Sequence, residues 1–291
     1  MTTSGTTPAP SALSGALAMA KAEVLEMVLS VRALFFLLVY LGAAAFAGVA
    51  MVKLDEGTEG QLSEMQTRLS QLGETEKAQA IEQLKNANMP EGFIEAFLDG
   101  RFPILLLAIL YFSTFFLPGV ILLVGFNRIS GDVSSRFTRY LLQRVHRGSY
   151  LAGKVVGHFV VSFAAIVLVH AILLAIGKSQ GVFGFDLIMA AMPRIWVSMA
   201  LFTFTYVAYC QLFSALVSQP FLSLLFGLLG LFAIRFLTFA LSFAWEPFDR
   251  FWLDAWDLPL WTLQPAAVAV YLGYGVGFVG LSWLVLRRKD L

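Results

Sequence analysis

The chain reads as long apolar runs separated by short polar ones. A helix needs about 20 mostly apolar residues to cross the hydrocarbon of a bilayer. Six runs meet that length, at 33–52, 103–126, 155–176, 195–217, 221–244 and 264–286. They predict an all-α, polytopic membrane protein with six transmembrane helices in one domain over 16–291. Ahead of the first span, 16–32 (ALAMAKAEVLEMVLSVR) places Leu25, Val28, Leu29 and Arg32 at helical spacing, with Lys21 and Glu23 on other faces. That pattern suits an amphipathic elbow helix lying at the membrane interface; the other reading is a straight extension of the first span. Residues 1–15 carry neither a basic n-region nor a long apolar core, and read as a disordered cytoplasmic tail.

Three polar stretches interrupt the runs. In 53–101, Leu62, Met65, Leu69 and Leu72 step by three and four, and Ala80, Ile81 and Leu84 follow after Gly73. This predicts an extracytoplasmic helical hairpin, with a further short helix begun by MPEGF. Its acidic residues are scattered without the spacing of a calcium loop, so they suit a solvated face better than a cation site. Between the last two spans, WEPFDRFWLDAWDLPLW interleaves Trp245, Phe248, Phe251, Trp252, Trp256 and Trp261 with Asp249, Asp254 and Asp257. Rings with polar edges belong at the headgroup level, as an aromatic anchor or part of an outer gate. The third stretch, 127–154 (NRISGDVSSRFTRYLLQRVHRGSYLAGK), is strongly basic. Val133, Phe137, Tyr140, Leu141 and Arg144 fall at helical spacing there, beside Arg136, Arg139 and Arg147. Taken alone, this is a basic amphipathic helix that could bind anionic membrane lipid.

Composition agrees with the membrane reading: 58% of residues are hydrophobic, 13% charged, and the mean hydropathy is +0.77. Charge then sets the orientation. With both termini cytoplasmic, the inside segments hold Lys21, Arg32, Arg128, Arg136, Arg139, Arg144, Arg147, Lys154, Arg287, Arg288 and Lys289. The outside segments hold eight Lys/Arg against fifteen Asp/Glu. Lys and Arg near span ends favour the cytoplasmic side, so both termini are expected there. The single cysteine, Cys210, supports neither a disulfide framework nor a cysteine metal cluster.

Other chemistry finds little support. Gly148 to Lys154 fits the first seven positions of a P-loop, but Val155 stands where Ser or Thr should hold magnesium, and no strand precedes it. His146, His158 and His170 form no HExxH motif, and a lone histidine within a span is more often a packed core residue than a ligand. The basic loop has few stacking rings, which argues against nucleic acid. Arg235 falls within the fifth span, where a guanidinium is costly. It either snorkels outward towards Glu246 or Asp249, or marks a translocation path or dimer seam.

The order Ile129-x-x-Asp132, Ser134-Ser135, Tyr140-Leu141-Leu142, then Arg147-x-x-Tyr150-Leu-Ala-Gly153-Lys154 followed at once by a span, resembles the signature loop of ABC-2 type transporter permeases. Family loops carry an acidic residue, a helix with a leucine pair, a Pro-x-Ser-Arg turn and a Gly-Lys start to the third span. Here Asp132 replaces the commoner Glu, and Val145-His146-Arg147 takes the place of the turn. The resemblance spans nearly the whole chain and implies an exporter permease with an elbow helix and a cytoplasmic coupling helix over 127–154. The ATPase-coupling residues it implies are Asp132, Arg136, Arg139, Arg144, Arg147, Tyr150 and Lys154. It further implies a cytoplasmic ABC ATPase subunit as partner and a second permease copy in a homodimer or heterodimer. ATP and magnesium would sit on the ATPase, with no cofactor or metal on this chain, in a bacterial inner membrane. The substrate class is left open. A six-span membrane enzyme or protease, or a ligand-sensing scaffold, are the competing readings.

Overall fold

The structure is a computed structural model; it describes residues 11–49, 104–179, 185–243 and 251–289. The expected hairpin at 53–101, residues 1–10, and the stretch holding Trp245, Glu246 and Asp249 lie outside the described residues. Among the described residues the regular structure is entirely helical: α1 (Ala12–Val28), α2 (Val31–Val49), α3 (Ile104–Gly125), α4 (Ser130–Ser134), α5 (Phe137–Leu142), α6 (Arg147–Ser179), α7 (Phe185–Leu216), α8 (Pro220–Ser242), α9 (Asp257–Trp261) and α10 (Pro265–Arg288). Six of these, α2, α3, α6, α7, α8 and α10, supply the helices long and apolar enough to span a membrane. The chain is therefore a multi-pass membrane protein.

Local chemistry explains the boundaries. Ser11 caps α1 by accepting from the Ser14 amide at 3.2 Å, so the helix begins at Ala12, inside the segment assigned to a tail. Ser30 accepts from the Ala33 amide at 3.4 Å and opens α2. The chain thus breaks at Leu29–Ser30, and α1 is a separate helix, not an extension of the first span. Pro220 and Pro265 occupy the first turns of α8 and α10, where a missing amide hydrogen costs nothing.

The chain divides into two compact units. One comprises Val39–Phe116 and Val167–Trp196. Within it Tyr40 and Ser113 share a buried hydrogen bond of 3.1 Å, and His170 is buried. The other comprises Met1–Leu38, Leu117–Ile166 and Val197–Leu291, and contains the whole basic loop. Its core is the α7 segment from Phe202 to Ala215. Thr205 of α7 donates to the Tyr271 carbonyl of α10 at 3.0 Å, and the Tyr209 hydroxyl donates to the Gly227 carbonyl of α8 at 2.9 Å.

The aromatic stretch before the last span departs from expectation. Trp252 and Trp261 are buried inside this unit, their rings covered by protein. Trp252 stands edge-on to Tyr209 and Tyr274, filling space between α7 and α10, and Ser198 donates to the Leu260 carbonyl at 2.8 Å. Among the described rings of the stretch, Phe251 stays exposed.

A buried ion cluster at the root of the basic loop

The first turns of α6 and the middle of α1 approach closely because both surfaces are small. A Cβ added at Gly153 would lie 2.3 Å from the Met19 Cβ and 3.0 Å from the Ala16 carbonyl oxygen. One added at Gly157 would lie 2.6 Å from the Glu23 Cβ. Gly153 and Gly157 thus form a small-xxx-small contact with Ala16 and Ala20, the packing that brings membrane helices to backbone contact. The same helix fixes the start of α1 through Ser149, whose hydroxyl donates to the Ala12 carbonyl at 2.7 Å. The other side of α1, with Leu13, Leu17, Leu25, Val28 and Leu29, is exposed.

This approach sinks Glu23 between α1 and α6, leaving it only 2% exposed. Lys154, 3% exposed, places its Nζ 2.7 Å from Glu23 Oε2 and 3.0 Å from Asp132 Oδ2. The Tyr150 hydroxyl donates to the same Asp132 oxygen at 2.8 Å. Arg128, also buried, sets its Nε 3.3 Å from Glu23 Oε1 and donates through Nη1 to Glu26 Oε1 at 2.9 Å. Burial pushes the Glu23 carboxyl up from its ordinary value, while the charges of Lys154 and Arg128 pull it down. Removing either cation would leave the burial effect less opposed and favour a protonated, neutral side chain.

The chain leaving α3 is held from its other side by α7. Ser214 Oγ accepts from the amides of Ile129 and Ser130 at 2.9 and 3.0 Å and donates to the Phe126 carbonyl at 2.8 Å. One hydroxyl therefore satisfies two amides that a five-residue helix cannot satisfy itself. Beyond α4 the backbone turns at Arg136, whose φ of 61° is left-handed, and α5 begins. The single amphipathic helix expected from periodicity is thus two short ones, because the left-handed residue ends the first.

The loop residues singled out from sequence fall into two groups. Asp132, Tyr150 and Lys154 join the ion cluster, and Arg147 donates to the Leu286 and Arg287 carbonyls at 2.9 and 2.8 Å, tying the loop to the end of α10. Arg136, Arg139 and Arg144 are exposed, together with Phe137 and Tyr140 at 52% and 71%. Arg235 lies on an exposed face of α8 between Phe232 and Phe236. Gly148 to Lys154 are helical, in the first two turns of α6, and Lys154 is engaged by carboxylates, a geometry that has no phosphate cradle. His158 is buried with Nδ1 3.1 Å from Gln211 Nε2, as a packed core histidine should be.

Sequence reading did not bring Glu23, Glu26, Arg128 and Ser214 to this site. The available signal was Gly153-x-x-x-Gly157 facing Ala16-x-x-x-Ala20, which would have set Glu23 one turn further along the same contact. No protein-family model matches the chain, and no curated protein matches it.

Proposed function

We propose that this chain is the membrane permease subunit of an ABC-2 type transporter, moving its substrate with energy from ATP hydrolysed on a separate subunit. The observation that carries the reading is α5: two exposed aromatic rings beside three exposed arginines, on a loop whose root is fixed by buried ions. Tyr and Arg are the side chains that dominate protein interfaces, and a rigid support lowers the entropy lost on docking. Carboxylates and carbonyls on an ATPase surface would meet the guanidinium groups in charge-assisted hydrogen bonds. Docking there would load α4 and α5, and through them the third span.

The topology is consistent with this role. Arg147 ties the loop to the last turn of α10, and Ser149 ties α6 to the start of α1, so loop and both described ends of the chain share one side. Their Lys and Arg content argues that this side is the cytoplasm, with α1 as the elbow helix. A lipid-binding role for the loop is disfavoured by length, since α5 has six residues, under two turns. An intramembrane enzyme is disfavoured by the engagement of His158 with Gln211.

Affinity purification of the full chain in mild detergent is expected to recover a soluble ATPase with a complete P-loop, two copies with two permease chains by native mass spectrometry. Recovery of a lone active permease chain with no ATPase would favour the sensor or enzyme readings instead.

A further inference from the structure

Lys154 joins three separate elements at one nitrogen. Its ammonium contacts Glu23 of α1 and Asp132 of α4 while its own backbone belongs to α6. The two contacts differ in what else secures them. The crossing of α1 and α6 is already held by close backbone packing at Gly153 and Gly157. α4 is held to α7 by Ser214, but towards α1 and α6 it offers Asp132, which is half-buried and whose neighbours Ser134, Ser135 and Arg136 are exposed. The loop's ties to α1 and α6 described above are polar: Asp132 to Lys154 and Tyr150, and Arg128 to Glu23 and Glu26.

Buried ion clusters are weak contributors to stability, because well-packed apolar groups of similar volume do as well or better. What they supply is direction: charged partners fix a relative position that apolar contacts leave free to slide. We propose that Lys154 is a positioning residue, holding α1, the α4–α5 loop and the start of α6 as one rigid body. A displacement of α5 would then be delivered to the third span and to α1 together. This purpose rests on the permease reading given above; the rigidity itself is a property of the isolated chain.

The test separates the two. Spin labels placed on Ala22→Cys and Ser135→Cys, both exposed, in a Cys210→Ser background report the spacing of α1 and the loop by pulsed electron resonance in lipid nanodiscs. The parent should give one narrow distance distribution. Glu23→Gln with Lys154→Met removes both members of the deepest pair, and should leave the thermal midpoint close to the parent's while widening the distribution about twofold. Asp132→Asn severs the loop's tie alone from a half-buried position, and should widen it as well. Parent-like width in both variants would overturn the proposal, leaving packing and Ser214 to hold the loop. Reconstituted with its ATPase, the double variant should lose about tenfold in transport-linked hydrolysis. A widened distribution with undiminished coupling would overturn the mechanical role. Failure to find any ATPase would sink the permease reading and leave the distance result standing on its own.

Discussion

Gly157→Leu is expected to destabilise the protein by about 4 kcal/mol or more. A Cβ at this position would lie 2.6 Å from the Glu23 Cβ, 2.8 Å from its Cγ and 3.0 Å from the Ala20 carbonyl oxygen, so even alanine requires α1 to move. Overpacking of a well-packed contact costs about 1–3 kcal/mol. Here the displacement also pulls Glu23 from Lys154 and Arg128, and breaking a buried pair costs about 3–5 kcal/mol. A loss on the order of 4 kcal/mol is a large part of the roughly 5–15 kcal/mol that holds a domain folded. Gly148→Leu is the control, since a Cβ there meets nothing within 4 Å and the same helix gains propensity. Size-exclusion profiles recorded after stepwise heating should show Gly157→Leu aggregated where Gly148→Leu and the parent remain monodisperse. Equal profiles would mean that α1 is not clamped to α6 at this crossing.

The second large effect is functional. Arg139→Glu with Arg144→Glu reverses two exposed charges that make no contact with the ion cluster, so folding should be unchanged. If these guanidinium groups meet carboxylates on an ATPase, each reversal replaces attraction by repulsion at a desolvated contact worth about 2–5 kcal/mol. Even the lower figure corresponds to a loss of about 30-fold in affinity. ATPase retention during purification, and transport-linked hydrolysis, should both fall by at least about that factor. Arg→Lys at the same positions should lose part of the activity, because an ammonium cannot reproduce a bidentate contact. A surface that responds only to charge would accept lysine fully. Arg147 is left out of this variant because it holds the last carbonyls of α10.

These two tests fall on different sides of what the sequence made legible. The spans were readable because hydropathy over some twenty residues depends on no tertiary contact. The basic loop was conspicuous for the same reason in reverse. Less visible was how its residues divide. The family resemblance puts Asp132, Tyr150 and Lys154 in one coupling set with Arg139 and Arg144. Yet the first three turn inwards, because Gly153 and Gly157 admit α1 and with it Glu23. A periodicity argument treats the loop as one helix, whereas a left-handed residue at Arg136 splits it; arginine carries no signal for that conformation as glycine would. Trp252 and Trp261 were expected at an interface from composition, but their burial depends on the gap between α7 and α10, which appears only when those helices pack. Ser214 was invisible as a cap because its partners are more than eighty residues away in sequence.

The most direct measurement places a photo-reactive phenylalanine analogue at Tyr140, the most exposed ring of α5, and irradiates intact cells before membrane solubilisation. If the chain is a permease driven through this loop, the adduct should contain a cytoplasmic ATPase with a complete P-loop, and reversal of Arg139 and Arg144 should abolish it. Adducts with phospholipid alone, unchanged by that reversal, would contradict the account and make the loop a membrane-surface element.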